Sequence, residues 1–379
     1  MATLTFMTHT IFDHKASHKL AQVLGQHGIK RPLLCTDRGL VDLGMVEEMA
    51  GRCGNAADLT VFDGTPENPT QAAVEEATAI YRGRNCDGVV AFGGGSSMDL
   101  AKAVALAVTH EGDLLQYTAA LGGVRKIGPV APLIAIPTTA GTGSEVSSGA
   151  VIIMNSGEKL ILASRHLVPV TAICDPLLTI GLPPRLTAAT GMDAMTHCVE
   201  ALLSPQVNPP AEAVACDGIE RGIREGNLMG AFRDGNDRDA RWQMMMAASE
   251  GAMAFSKGLG AVHSMSHACG ADESLRLHHG TLNAVLLPTV LDFNRGYVGE
   301  KYARLNAAMG LDAEADPADF IRSLNAELGL PGGLAEMGVH PDAIPSLADH
   351  AAKDICTSTN PRPCSQEDYA QLFEVALAS

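Results

Sequence analysis

Aromatic side chains are scarce in this chain, 4% of residues with a single tryptophan, so its core must be aliphatic and closely packed. Basic residues are outnumbered: 27 Lys and Arg against 43 Asp and Glu give a formal net charge of −16. Nucleic acid and anionic membrane both require a basic surface, so neither is expected as a partner. No apolar run reaches the ~20 residues of a membrane-spanning helix. The opening MATLTFMTHTIFDHK lacks a basic segment followed by an apolar one, so no secretory signal is expected and the cytoplasm is the expected location. The nine cysteines form no CxxC pair. That excludes a disulfide framework or zinc ribbon and suits a reducing compartment.

What the chain does contain is organised in two parts. At 379 residues it exceeds the size at which one core stops growing, so two domains are expected. Up to about residue 183, short apolar runs alternate with helical stretches. RPLLCTD, ADLTVFD, DGVVAFGGG, PLIAIPTT and AVIIMN read as strands, which implies βαβ units and a mostly parallel sheet. Beyond LTIGLPPRLTAATG nearly every segment has helical periodicity. The expectation is an α/β domain over 1–183 and an all-α domain over 184–379.

Ligand-type residues concentrate in the helical half. Asp193 and His197 in GMDAMTHCVEA, and His263 and His267 in GLGAVHSMSHACG, are four apart, a spacing that puts both members on one helix face. His278 and His279 follow before Gly280. One carboxylate with several imidazoles suits Fe²⁺ or Zn²⁺. Cys198 stands one residue off that face and reads as a packed thiol.

In the first half, Gly93-Gly94-Gly95-Ser96-Ser97 joins a strand to a helix. Glycines there let a phosphate approach the backbone, and the helix N–H groups attract it, with Ser96 or Ser97 as the expected cap. A second small-residue loop, residues 137–145, follows the strand PLIAIP; its threonines suit a pyrophosphate or a ribose. Asp37 ends an earlier strand, where it can accept ribose hydroxyls and favour NAD over NADP, or simply cap a helix. The neighbouring Arg38 keeps NADP open.

The motifs GTPENPT, GGGSSMDLAK, PTTAGTGSEV, GMDAMTHCVEA, GLGAVHSMSHACG and HHGTLNAVLLP, in this order along nearly the whole chain, resemble the iron-containing (group III) alcohol dehydrogenases. The resemblance implies a dehydroquinate synthase-like fold, an α/β dinucleotide-binding domain followed by a helical metal-binding domain, with the active site in the cleft between them. It implies NAD(H) and Fe²⁺ (or Zn²⁺) as cofactors, a homodimer or larger homo-oligomer, and hydride transfer between a small alcohol and the nicotinamide. The metal ligands then map onto Asp193, His197, His263 and His279, with His278 a competitor for the last place. His267 becomes the proton-handling residue. Gly94, Gly95 and Ser96 approach the cofactor phosphates, with Met98 and Asp99 opening the helix behind them. Thr138, Thr139, Thr142, Asn68, Lys159 and Asp37 complete its pocket.

Two departures bear on substrate. Lys257 stands where the family usually has small neutral residues, and the loop ACGADESLRLHHG is longer and carries Arg276. Positive groups there can grip a carboxylate, and the surrounding sequence looks most like the 4-hydroxybutyrate dehydrogenase branch. A short ω-hydroxy acid is the expected substrate, with neutral alcohols, diols or polyols as the alternative. A lyase on the same fold is disfavoured by the few clustered basic residues in the helical half. A non-catalytic metal-binding protein is disfavoured by the intact phosphate loops.

Overall fold

In the computed structural model, which describes residues 8–54, 58–271 and 277–378, the chain divides into two compact units. Among the described residues, one comprises those of 8–139 and 144–179 and the other those of 140–143 and 180–378.

The α/β unit contains strands β1 (Thr10–Phe12), β2 (Pro32–Cys35), β3 (Thr60–Phe62), β4 (Gly88–Gly93), β5 (Leu133–Pro137), β6 (Gly149–Ile153), β7 (Lys159–Ala163) and β8 (Thr171–Cys174). Its helices are α1 (Leu20–Gln26), α2 (Arg38–Asp42), α3 (Met45–Cys53), α4 (Gln71–Gly83) and α5 (Gly95–Ala107). Six strands form one parallel sheet in the order β1-β8-β5-β4-β2-β3. β2, β4, β5 and β8 are buried at every position, as expected for strands covered on both faces. Two aliphatic clusters hold the sheet. Alternate strand residues take part in each, Leu33, Val89 and Ala135 in one and Leu34, Val90 and Ile134 in the other.

The strand expected from AVIIMN exists, but outside this sheet: β6 pairs antiparallel with β7 as a separate hairpin. Lys102 on α5 ties it down. The buried ammonium donates to Ser144 Oγ at 2.8 Å, Ser147 Oγ at 2.9 Å and the Gly149 carbonyl at 2.7 Å. All three of its donors are thereby used.

The helical unit contains α6 (Pro184–Leu203), α7 (Pro209–Ile219), α8 (Asn227–Arg233), α9 (Arg238–Ala254), α10 (Ala261–Gly270), α11 (His279–Asn294), α12 (Lys301–Met309), α13 (Pro317–Glu327), α14 (Ile344–Lys353) and α15 (Gln366–Ala378). Proline opens α6, where its missing N–H costs nothing. α6 is buried along nearly its whole length and packs against α7, α9 and α11. No helix among the described residues is long and apolar enough to cross a membrane.

Candidate active site

The buried face of α6 carries Asp193 and His197 one turn apart, with His197 Nε2 3.9 Å from Asp193 Oδ1. α10 brings in His263, whose ring stacks on His197 at 4.7 Å between centroids. One ligand-type atom from each of Asp193, His197 and His263 lies within 4.8 Å of the others. His279, the first residue of α11, places Nε2 3.6 Å from Asp193 Oδ1. Gly280 makes this approach possible: a Cβ there would sit 2.4 Å from the Ala189 carbonyl and 3.2 Å from the Asp193 Cβ. Any side chain would push α11 off α6 and carry His279 away from the aspartate.

His278 is used differently. It is the N-cap of α11, and its Nδ1 accepts from the Thr281 N–H at 3.4 Å. Of the two adjacent histidines, His279 is the one beside Asp193.

Asn283, one turn along α11 from His279, shows that the donor set fits a cation. Its Nδ2 lies 2.7 Å from Asp193 Oδ1, 3.2 Å from His263 Nε2 and 3.1 Å from His279 Nε2. An amide nitrogen has two hydrogens and cannot satisfy three acceptors. The excess of lone pairs is what a divalent transition ion satisfies. Burial depresses the pKa of His197 to about 4 and that of His263 to about 3, so both rings are neutral, as metal ligands must be.

Two carboxylates that the sequence reading missed orient this group. Glu200, one turn beyond His197 on α6, accepts from His263 Nδ1 at 2.6 Å and from the Val262 N–H at 2.8 Å. With Nδ1 donating to Glu200, His263 Nε2 is free to ligate, the usual carboxylate–histidine–metal arrangement. Burial raises the Glu200 carboxyl to about 7 against the pull of its hydrogen bonds. Asp354 accepts from His267 Nδ1 at 2.9 Å. The His267 ring stacks on His279 at 5.5 Å and meets His263 edge-on at 5.9 Å. Glu200→Gln should weaken metal affinity about 10- to 100-fold, because an amide can donate to Nδ1 and turn the His263 ring. Metal titration of the stripped variant measures this, and an affinity equal to the parent's would remove Glu200 from the site.

In the α/β unit, α5 begins where β4 ends. The expected serine cap gives way to Gly94, which makes no side-chain cap hydrogen bond, while the Ser96 hydroxyl donates to the Glu67 carbonyl. The first N–H groups of a 13-residue helix therefore have no side-chain cap, as a phosphate site requires. Gly93 has φ +150°, and a Cβ there would meet Ser97 Oγ at 2.5 Å, so only glycine serves. Thr138 donates its N–H to the Gly93 carbonyl at 2.9 Å, and Thr139 lies beside Gly94. Lys159 Nζ donates to Asn68 Oδ1 at 3.0 Å, joining two expected cofactor residues 91 positions apart. Asp99 turns inward: Ser144 Oγ and the Val151 N–H bond one carboxylate oxygen each. Asp37 caps α2 through Oδ1, and Arg38 pairs with Asp63 at 2.6 Å. Thr142 belongs to the helical unit, and Thr138 and Thr139 to the α/β unit.

A family model described as iron-containing alcohol dehydrogenase matches residues 7–176. A second, for the C-terminal region of the Fe-containing alcohol dehydrogenase family, matches 187–377. The chain belongs to the iron-containing alcohol dehydrogenases. It is 49% identical to 4-hydroxybutyrate dehydrogenase of Cupriavidus necator, covering 100% of both chains. To the NAD-dependent methanol dehydrogenase of Bacillus methanolicus it is 37% identical, over 97% of this chain and 98% of the other. The solved structure of 1,3-propanediol oxidoreductase superposes with a TM-score of 0.93 at 36% identity, covering 99% of this chain and all of that one.

Membership makes the chain an oxidoreductase, and the family implies NAD(H) and a divalent metal. One site expectation is corrected. Lys257, expected as an anchor for a substrate carboxylate, bonds within the protein instead. Its buried ammonium caps the end of α6, donating to the carbonyls of Ala201 at 2.8 Å, Leu202 at 3.1 Å and Ser204 at 2.6 Å, and pairs with Glu212 at 3.2 Å. Burial and the nearby Lys301 lower its pKa to about 8, which still leaves it charged at neutral pH. Arg276, the other cation considered for a carboxylate, lies outside the described residues.

Proposed function

We propose that the chain interconverts a short ω-hydroxy acid, such as 4-hydroxybutyrate, and its semialdehyde with NAD(H). A divalent metal, Fe²⁺ or Zn²⁺, would be held by Asp193, His197, His263 and His279. The observation that carries the substrate is the 49% identity to a 4-hydroxybutyrate dehydrogenase across both full lengths, against 37% for the methanol enzyme. When bound, the metal would supply Lewis acidity at the substrate oxygen and the nicotinamide would supply the hydride chemistry.

The chain's own residues do the rest. His267 takes the hydroxyl proton and returns it in the reverse direction. The uncapped N-terminus of α5 at Gly94, Gly95 and Ser96 receives the cofactor phosphates, with Thr138, Thr139, Asn68 and Lys159 of the same unit as its further partners. Asp37, at the end of β2, meets the ribose. A carboxylate at that position supports NAD over NADP, while Arg38 pairs with Asp63 at the surface. The use of Lys257 as a helix cap favours a second reading, in which neutral alcohols or diols are taken equally well.

Stripped protein reloaded with Fe²⁺ or Zn²⁺ and assayed by NADH absorbance decides between them. A carboxylate-binding site predicts kcat/KM for succinate semialdehyde about 10-fold or more above that for an uncharged aldehyde of the same length. Equal values select the neutral reading. No metal-dependent turnover with any aldehyde or hydroxy acid would refute both.

A further inference from the structure

We propose that Asp354 is the positioning residue for proton transfer by His267, fixing the ring with its hydrogen on Nδ1 so that Nε2 is the atom that takes the substrate's proton. This rests on the proton-handling role given to His267 above. The two residues are 87 positions apart, His267 on α10 and Asp354 just past α14, and their side chains meet at 2.9 Å. Both are only slightly exposed, 16% and 15% of the side chain, so the pair is shielded but not sealed from water.

The carboxylate is itself held in place. Asp354 Oδ1 accepts from the Cys356 N–H at 2.8 Å, capping the turn over Ile355–Thr359. Ser264 Oγ lies 3.5 Å from the same oxygen and 3.0 Å from Thr357 Oγ1, which in turn meets the Tyr369 hydroxyl at 2.8 Å. Tyr369 is fully buried on α15. The Cys356 N–H thus fixes the carboxylate, and the carboxylate fixes the ring. Burial pushes the Asp354 carboxyl up, but His267 and the Cys356 hydrogen bond outweigh it and bring it to about 2. An ionised carboxylate only accepts, so His267 Nδ1 must donate, and the Nε2 lone pair points to the other edge of the ring. When the substrate O–H bond breaks and its proton forms the Nε2–H bond, the positive ring that results keeps its Nδ1–H on the Asp354 carboxylate. The same geometry serves the reverse step.

Cys356 lies within 4.8 Å of both partners, a trio that also suits a metal ion. The hydrogen bonds already made by both Asp354 oxygens favour the dyad.

Asp354→Asn tests the assignment, because asparagine keeps the cap on the Cys356 turn. The Nδ1-protonated form of His267, read from nitrogen-15 spectra of ring-labelled histidine and assigned with His267→Gln, should dominate in the parent and become a mixture in the variant. Turnover should fall about 10- to 100-fold with KM, melting temperature and bound metal unchanged. Thr357→Val, which removes the hydroxyl between Ser264 and Tyr369 without touching the dyad, should leave the tautomer as it was. An unchanged tautomer or undiminished turnover in Asp354→Asn would overturn the proposal. So would loss of metal in that variant, an equal rate loss in Thr357→Val, or a second tightly bound zinc that Cys356→Ser abolishes. The tautomer is read on the protein alone, so a parent that turns over no alcohol would refute the proposed function and leave this test standing.

Discussion

Replacing His263 by alanine should leave the protein unable to retain a stoichiometric metal ion and lower its activity by at least about 100-fold, more than loss of an outer partner costs. The expectation follows from the position of the ring. It is 1% exposed and stacked on His197, with Nε2 turned to the amide shared with Asp193 and His279 and Nδ1 on Glu200. Removing it would take away one of the four proposed ligands and leave the buried Glu200 carboxyl without its imidazole. His267→Ala on the same helix should behave otherwise, keeping its metal while turnover falls, because its Nδ1 is committed to Asp354. Metal analysis of both variants beside their kcat values separates the roles. Equal metal loss in the two would make His267 a ligand and undo the distinction.

The difference between those histidines is invisible in the spacing, since His263 and His267 share one face of α10. What separates them is the partner each finds from elsewhere, Glu200 for one and Asp354 for the other. Glu200 was within reach of the sequence: Asp193, His197 and Glu200 follow i, i+4, i+7 on one helix face. Asn283 was equally readable as one turn beyond His279. Asp354 was not, because no local period links it to a residue 87 positions away.

The same limit applies to the sheet. β2, β4 and β5 are continuous apolar runs between turn residues and read directly. β1 is only three residues long, too short to show a period, and β8, which opens on a threonine, lacks the continuous apolar run. AVIIMN read correctly as a strand, but its partner β7 and the hairpin they form depend on pairing that periodicity cannot supply. The glycine turn from β4 into α5 was legible because Gly93 takes a backbone conformation that residues with a Cβ rarely adopt, whereas its serine cap was misplaced because a hydroxyl has several carbonyls to choose from.

Lys257 carries the second large effect, on stability and not on specificity. A lysine in a glycine-flanked stretch reads as a solvated charge or a substrate anchor, yet α6 ends pointing at it. The last carbonyls of a helix have no partner within the helix and carry its negative pole, so a buried ammonium among three of them is strongly held. Lys257→Ala removes those bonds together with one of the cations around Glu212, which keeps Lys301 at 3.6 Å and Arg304 at 2.7 Å. The remaining pairs soften the loss, so the cost should be about 2–4 kcal/mol. A denaturant melt of parent and variant measures it. Because α6 also carries Asp193 and His197, the loosened end should bring some loss of metal affinity, and KM should rise by the same factor for charged and uncharged aldehydes. A stable Lys257→Ala protein with a raised KM for carboxylate substrates alone would return the ammonium to the substrate and leave the end of α6 without an account.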